Sequence, residues 1–209
     1  MVTSPPLFVG ITGYILSLIK RIPFVFEIRD LWPESAIDTG VLKNKIIINV
    51  AFWFEKLMYK SAKYINVLTP AFKEVLIKNK NIPKNKIIFI PNAADFSLAK
   101  ELQQDFDPLE FKKDIGLEGK FVITYVGAHG IANHLMQLIS AAKQLQHTNL
   151  VFQLIGDGME KKLLQKNVLE NKLKNVIFRN PVSKKDVFKY ILASDVGASV
   201  LKKADTFKT

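Results

Sequence analysis

Residues 121–130 read FVITYVGAHG, a run of apolar and β-prone side chains that passes straight into a loop holding two glycines. An unbroken run of this length fits a strand covered on both faces, as parallel strands are in α/β folds. Glycine directly after the strand suits a tight turn, and helical spacing resumes over about 133–146. The same order repeats downstream. LVFQLIGDG (150–158) leads to a helix over about 159–173, NVIFRNP (175–181) to a helix over about 184–193, and DVGASVL (195–201) closes the series. Ser183 with Asp186 makes a capping box for the last helix.

Upstream the alternation is the same. Leu7, Ile11, Tyr14, Leu18 and Ile22 recur at helical spacing behind Pro5-Pro6, which suit a helix's first turn. PFVFEI (23–28) is a strand, residues 44–63 a helix, KYINVLT (63–69) a strand, and KIIFI (86–90) a strand stopped by Pro91-Asn92. Thr69 is the expected N-cap of the helix that starts at Pro70. The first half thus begins on a helix with no strand before it, and a polar stretch over 93–118 reads as a joint. The fold class is α/β, with two Rossmann-like units over 1–105 and 106–209. Each is incomplete against the usual size of a doubly wound domain, so the chain reads as the middle of a longer one.

Composition narrows the function. With 48% hydrophobic and 23% charged residues the 209-residue chain is globular. The absence of cysteine excludes disulfides, thiolate metal sites and Cys nucleophiles, and fits a reducing compartment. Apolar stretches fall short of the about 20 residues needed to span a bilayer, and the N-terminus lacks the pattern of a signal peptide. The net charge of +11 is spread evenly, with 14 Lys+Arg against 9 Asp+Glu in residues 1–105 and 16 against 10 in the remainder. That evenness argues against a nucleic-acid partner, whose binders gather charge in a stripe or arm. One local cluster, AFWFEKLMYKSAK (51–63), mixes Phe52, Trp53, Phe54, Leu57, Met58 and Tyr59 with Lys56, Lys60 and Lys63. It suits a helix lying on an anionic membrane surface, and equally a partly buried helix with snorkelling lysines.

Parallel α/β sheets bind ligands at the carboxyl ends of their strands. Three loops there carry unusual residues. Gly127-Ala128-His129-Gly130 could bring backbone N–H groups to a phosphate, or simply make a tight turn. Gly156-Asp157-Gly158 follows the next strand, with Lys161 and Lys162 close behind, and FEIRDLWPES (26–35) sets Arg29 and Asp30 beside Trp32. His129 is a candidate general acid or base, whereas His134 and His147 fit structural or surface places. No His, Asp or Glu grouping has metal-ligand spacing, and no nucleophile elbow occurs.

Taken in order, FEIRDLWPES, EKLMYKSAKYINVLT, IPNAAD, GKFVITYVGAHG, LVFQLIGDGMEKKLL and NVIFRNPVSKKDVFKYILASDVGASVL resemble the family 4 glycosyltransferases of the GT-B fold. The likeness is to the bacterial subgroup that builds surface polysaccharide on lipid-linked acceptors. It implies retaining transfer of a sugar from a nucleotide-sugar to an acceptor hydroxyl, with the acceptor on the first unit and the nucleotide on the second. It implies that Gly127, Ala128, His129 and Gly130 face the donor diphosphate, that Gly156, Asp157, Gly158 and Lys161 line the nucleotide site, and that Asn180, Pro181 and Val182 meet the base. Glu27, Arg29, Asp30 and Trp32 fall on the acceptor side. No cofactor or metal is implied, and the protein is expected in the cytoplasm, peripheral on the inner face of the cell membrane. Ala128 and Asn133 stand where many members place Arg and Lys, and Ala93-Ala94 where Gly-Val is usual. The acidic E-x7-E pair is not reached by Thr209, so this stretch alone is expected to bind donor weakly without turnover. A nucleotide-sugar epimerase, a basic binding module and a purely structural domain are the rival readings.

Overall fold

The computed structural model describes residues 1–204 and 206. The chain forms two compact units, one over Met1–Ala93 together with the described residues after Lys202, the other over Ala94–Lys202. Each contains one parallel four-stranded sheet.

In the first unit the strands are β1 (Val2–Ser4), β2 (Val25–Ile28), β3 (Tyr64–Val67) and β4 (Ile87–Phe89), lying side by side in chain order. Not visible in the sequence pattern was β1, whose three residues, Val-Thr-Ser, are too few to show a period. Its connections are α1 (Val9–Lys20), α2 (Glu34–Asp38) with α3 (Lys45–Ser61), and α4 (Pro70–Lys78). Right-handed crossovers that always step in one direction put their helices on one face. Accordingly Phe26, Ile28, Ile65 and Val67 share a core with Leu7, Phe54, Met58, Tyr59 and Leu76. Thr69 caps α4 through its hydroxyl with Pro70 at the first position, and Asn44 caps α3. Pro5 and Pro6 lie ahead of α1 rather than inside it, since that helix starts at Val9.

Residues on the opposite face of this sheet form a polar row. Thr3, Glu27 and Asn66 are in register, and Glu27 accepts from the Thr3 hydroxyl at 3.3 Å and the Asn66 amide at 3.0 Å. Asn66 passes the chain on by accepting from Ile90 N–H at 3.1 Å.

In the second unit, β5 (Phe121–Val126), β6 (Leu150–Ile155), β7 (Val176–Arg179) and β8 (Val196–Gly197) lie in the order β7-β6-β5-β8. The chain walks outward from β5 to β7 and then crosses to the other side of β5, which makes a topological switch point between β5 and β8. Its connections are α7 (Met136–Gln144), α8 (Lys161–Glu170) and α9 (Lys184–Leu192). Tyr125, Phe152 and Leu154 pack with Leu135, Ile139 and Leu164 on one side, and Val122 and Val151 with Leu117 on the other. α7 begins three residues later than helical spacing suggests because His134 takes a left-handed φ of 46°.

The stretch over 93–118 is more than a joint. It holds α5 (Ser97–Asp105) and α6 (Pro108–Asp114), the latter capped by Asp107. α5 packs on α9, and Phe106, Phe111 and Tyr190 stack in sequence with ring centroids 5.4 and 5.1 Å apart. Residues 94–105, assigned to the first unit by the sequence pattern, therefore fold with the second.

Lys80 ties the first unit together by reaching Glu55 on α3 at 2.9 Å and Glu34 on α2. Burial pushes the Glu55 carboxyl up, and Lys80 opposes it. Lys80→Met should cost about 3 kcal/mol at pH 7, because it strands a buried carboxylate. With its folded-state value raised, Glu55 is penalised at high pH and relieved at low pH. The deficit measured by urea unfolding should therefore shrink as the pH falls toward 5.

Candidate functional site

The carboxyl ends of β5, β6 and β7 converge on two glycine loops pressed backbone to backbone. A Cβ on Gly156 would lie 1.9 Å from the carbonyl oxygen of Gly127, and one on Gly158 would lie 2.5 Å from that of His129. Both glycines also hold positive φ, 144° and 157°, a region costly for other residues. The contact is stitched by hydrogen bonds. Gly127 N–H donates to Ile155 O at 3.0 Å, His129 N–H to Asp157 O at 2.8 Å, and Glu160 N–H to His129 O at 3.0 Å.

This stitching changes what the glycines do. The N–H groups expected to face a phosphate are already donated at Gly127 and at Gly156, the latter to Arg179 O at 3.2 Å. Their smallness serves the close approach of the loops. Among the described residues the N–H groups of Ala128 and Gly130 have no acceptor, and Ala128 lines the groove described below. The Tyr125 hydroxyl donates to Ala128 O at 2.8 Å and fixes that peptide.

Lys161 is likewise an internal tie. Its ammonium donates to Gly156 O at 2.8 Å, Asn180 Oδ1 at 3.1 Å and Arg179 O at 3.3 Å. It is buried at 8% exposure, so it clamps the second loop to the end of β7 and does not extend toward a ligand. Asn180 is held by the same cation.

His129 is fully buried between the Tyr125 and Phe178 rings, with centroids 6.1 Å away in each case. Neither ring nitrogen has a hydrogen-bond partner. The imidazole expected as an acid or base at the ligand thus lies behind the loops at 0% exposure rather than on the groove surface. Burial, reinforced by the Lys161 charge, pushes its proton affinity below the usual histidine range.

Outside these ties lies a groove of about 310 Å³ lined by Val126, Gly127, Ala128, Ile155, Gly156, Asp157, Pro181, Val182 and Val187. Six of these nine are residues the sequence singled out; Val126, Ile155 and Val187 are not. Val126 and Ile155 were legible as the last residues of their strands, and Val187 as a position on the helix after Ser183. The mixed apolar walls and few polar groups are the usual makeup of a small-molecule site. Among the described residues no group of three or more His, Asp or Glu is placed to hold a metal ion.

The first unit gathers its own candidates at the end of β2. Arg29 Nε donates to Glu27 Oε1 at 2.8 Å, and the Ser35 hydroxyl donates to Asp30 Oδ2 at 2.7 Å. The charged residues of RDLWPES therefore each have a partner within the unit, and Arg29 pairs with Glu27 rather than with Asp30. The hydrogen bond from Arg29, seconded by Asn66, holds the Glu27 carboxyl below the usual range against the opposing effect of burial. Trp32 is half-buried, edge-on to Phe8 at 6.3 Å. The Arg29 side chain remains 56% exposed.

A family described as glycosyl transferases group 1 matches residues 107–201. The chain is 24% identical over 178 residues to WcaI of Escherichia coli, named as a colanic acid biosynthesis glycosyl transferase, and 24% identical over 170 residues to WbjE of Pseudomonas aeruginosa, named as a glycosyltransferase. These alignments cover 83% and 78% of this chain but 43% and 41% of the relatives, so the chain spans under half their length. In fold it is similar to Anabaena HepE, solved with UDP and glucose, at a TM-score of 0.73 and 19% identity over 93% of this chain and 51% of that one. WaaG, a glycosyltransferase of lipopolysaccharide biosynthesis, gives 0.69 at 15% identity, over 91% and 56% of the two chains.

Because His129 is disfavoured in its charged form only when folded, stability should be full above about pH 6.5 and decline as the pH drops below it. His129→Leu should flatten that part of a plot of Tm against pH. The buried imidazole and the two stitched loops fall inside the segment, residues 107–201, that matches the family described as glycosyl transferases group 1, in a chain whose two units each hold a parallel four-stranded sheet, as in the GT-B fold.

Proposed function

We propose that the groove at the ends of β5 and β6 takes the nucleotide diphosphate of a sugar donor. The protein then passes the sugar, with retention of configuration, to a lipid-linked saccharide acceptor in polysaccharide biosynthesis. The observation that carries the donor reading is the groove itself, formed by the glycine loops at the carboxyl ends of β5 and β6. HepE, a relative in fold, is described in complex with UDP-glucose. Open N–H groups at Ala128 and Gly130 suit a diphosphate leaving group whose charge grows during transfer, since pre-aimed neutral donors stabilise such charge without reorganising. Pro181, Val182 and Val187 give the apolar wall that the base and ribose would cover.

The acceptor is assigned to the first unit, beside Glu27, Arg29, Asp30 and Trp32. There the exposed Arg29 guanidinium is held in place by Glu27 and Trp32 offers a ring edge. The 209-residue chain by itself is proposed to bind the donor without turning it over, as the imidazole nearest the groove is sealed off from it.

Isothermal titration with UDP and UDP-glucose tests the donor site. Binding should be lost or weakened at least about tenfold by Ala128→Asp, which sets a like charge beside the phosphate position while leaving an exposed loop residue's packing untouched. Undiminished binding by Ala128→Asp would move the site elsewhere. Gly156→Ala should be poorly tolerated even without ligand, with a loss of about 3 kcal/mol or more in urea unfolding, because its methyl meets the Gly127 carbonyl.

A further inference from the structure

The even division of charge between the halves hides a concentration inside the first unit. From Lys56 to Ala94 the chain carries eight lysines, no arginine and a single acid, Glu74. That acid is already paired with Lys78 at 2.7 Å. Most of the chain's excess positive charge is thus held in one short stretch, where like charges repel unless an anion comes among them.

Three of these lysines border one pocket. It opens between α3 and the turn joining α4 to β4, with a volume of about 680 Å³. Phe52, Glu55, Lys56, Tyr59 and Lys60 recur at the spacing of a single face of α3. Lys86 faces them from the start of β4. Lys56 and Lys60 are exposed and one helical turn apart. Among the described residues neither they nor Lys86 has a carboxylate partner. Lys86 spends one of its three hydrogens on the Lys60 carbonyl at 2.8 Å, which leaves two to offer. Burial pushes its proton affinity below the usual lysine range, a cost that a bound anion offsets.

The inner wall is of another kind. Lys80 stands 5.0 Å from the Phe52 ring centre and bonds to Glu55. The Glu55 side chain is only 4% exposed, yet its second oxygen, Oε1, has no hydrogen-bond partner. The Tyr59 hydroxyl lies near enough to favour the ionised carboxylate without forming a hydrogen bond to it. A buried acceptor without a donor is costly and calls for one.

We propose that this pocket binds a small soluble phosphate ester that also carries hydroxyl groups, a sugar phosphate in chemical class, with its phosphate on Lys56, Lys60 and Lys86 and a hydroxyl donated to Glu55 Oε1. Lysine ammoniums make charge-assisted bonds to phosphate oxygens. The volume falls in the range of small-molecule sites, and inorganic phosphate alone is too small to fill it. Lys60, in the last turn of α3 before β3, and Lys86, directly before β4, lie toward the amino ends of the strands. Arg29 and Asp30 follow the carboxyl end of β2, the end where such sheets gather their reacting ligands. A molecule held in the pocket is therefore not placed for transfer chemistry, and its binding needs no nucleotide.

The test is isothermal titration of the 209-residue chain with glucose 6-phosphate, glucose 1-phosphate, inorganic phosphate and glucose. A sugar phosphate should bind, inorganic phosphate at least about tenfold more weakly, and glucose with no measurable heat. Lys56→Gln with Lys60→Gln should weaken sugar phosphate binding about thirtyfold at an unchanged circular dichroism spectrum, and Lys86→Gln about tenfold. Ala128→Asp, in the other unit, should leave it unchanged. As a readout that needs no substitution, the sugar phosphate should protect Lys56 and Lys60 from acetylation by a lysine-selective reagent, read by mass spectrometry, while Lys113 and Lys174 stay fully labelled. Absence of binding by both sugar phosphates, equal affinity for inorganic phosphate, full binding by the double glutamine variant, or unprotected Lys56 and Lys60 would overturn the proposal. So would loss of binding in Ala128→Asp, because the donor groove would then be the site. Sugar phosphate binding is read without UDP and UDP binding without sugar phosphate, so either reading can fail alone.

Discussion

The position of Gly156 against the Gly127 carbonyl constrains the whole ligand end of the second unit. No side chain fits between the two loops, so their backbones meet directly and are bonded to each other at Gly127, His129 and Glu160. Lys161 then fixes the second loop to β7. With the two loops locked, Ala128 is left on the rim with its carbonyl held by Tyr125 and its N–H unspent. The groove is thus shaped before any ligand arrives, which lowers the ordering cost of binding.

Both sheets also carry a row of polar side chains across their strands. In the first unit it runs Thr3, Glu27, Asn66. In the second, Arg179 donates to Gln153 at 2.5 Å, Gln153 donates to Thr124 at 3.2 Å, and Thr124 bonds to Ser194. The guanidinium of Arg179 also lies 5.2 Å from the Tyr190 ring centre, so the row grips α9. Polar groups this deep are tolerable only when each finds a partner. A continuous row provides that, and it fixes strand register more strictly than interchangeable aliphatic contacts would.

The fold was legible because parallel strands advertise themselves as unbroken apolar runs and some helices carried their own start signal, Thr69-Pro70 and Ser183 with Asp186 among them. What escaped was short or polar: β1 with three residues, and α5 and α6 in a stretch with few apolar side chains. At the site, the glycines marked the right loops, yet spacing alone could not tell a glycine that opens an N–H from one that admits a neighbouring carbonyl. Lys161 and His129 misled for one reason. Sequence gives a side chain's chemistry but not its direction, and both point inward.

α1 seats itself through Gly10 and Gly13, within reach of Met58 and Val2. An inventory of tolerated substitutions along this helix would therefore run opposite to habit. Gly13, where a Cβ would meet Val2, would reject a larger residue for lack of room, and Gly10 would admit one only if the end of Met58 gave way. The outward isoleucines Ile11, Ile15 and Ile19 are exposed among the described residues, so any selection retained there must come from contacts made outside those residues.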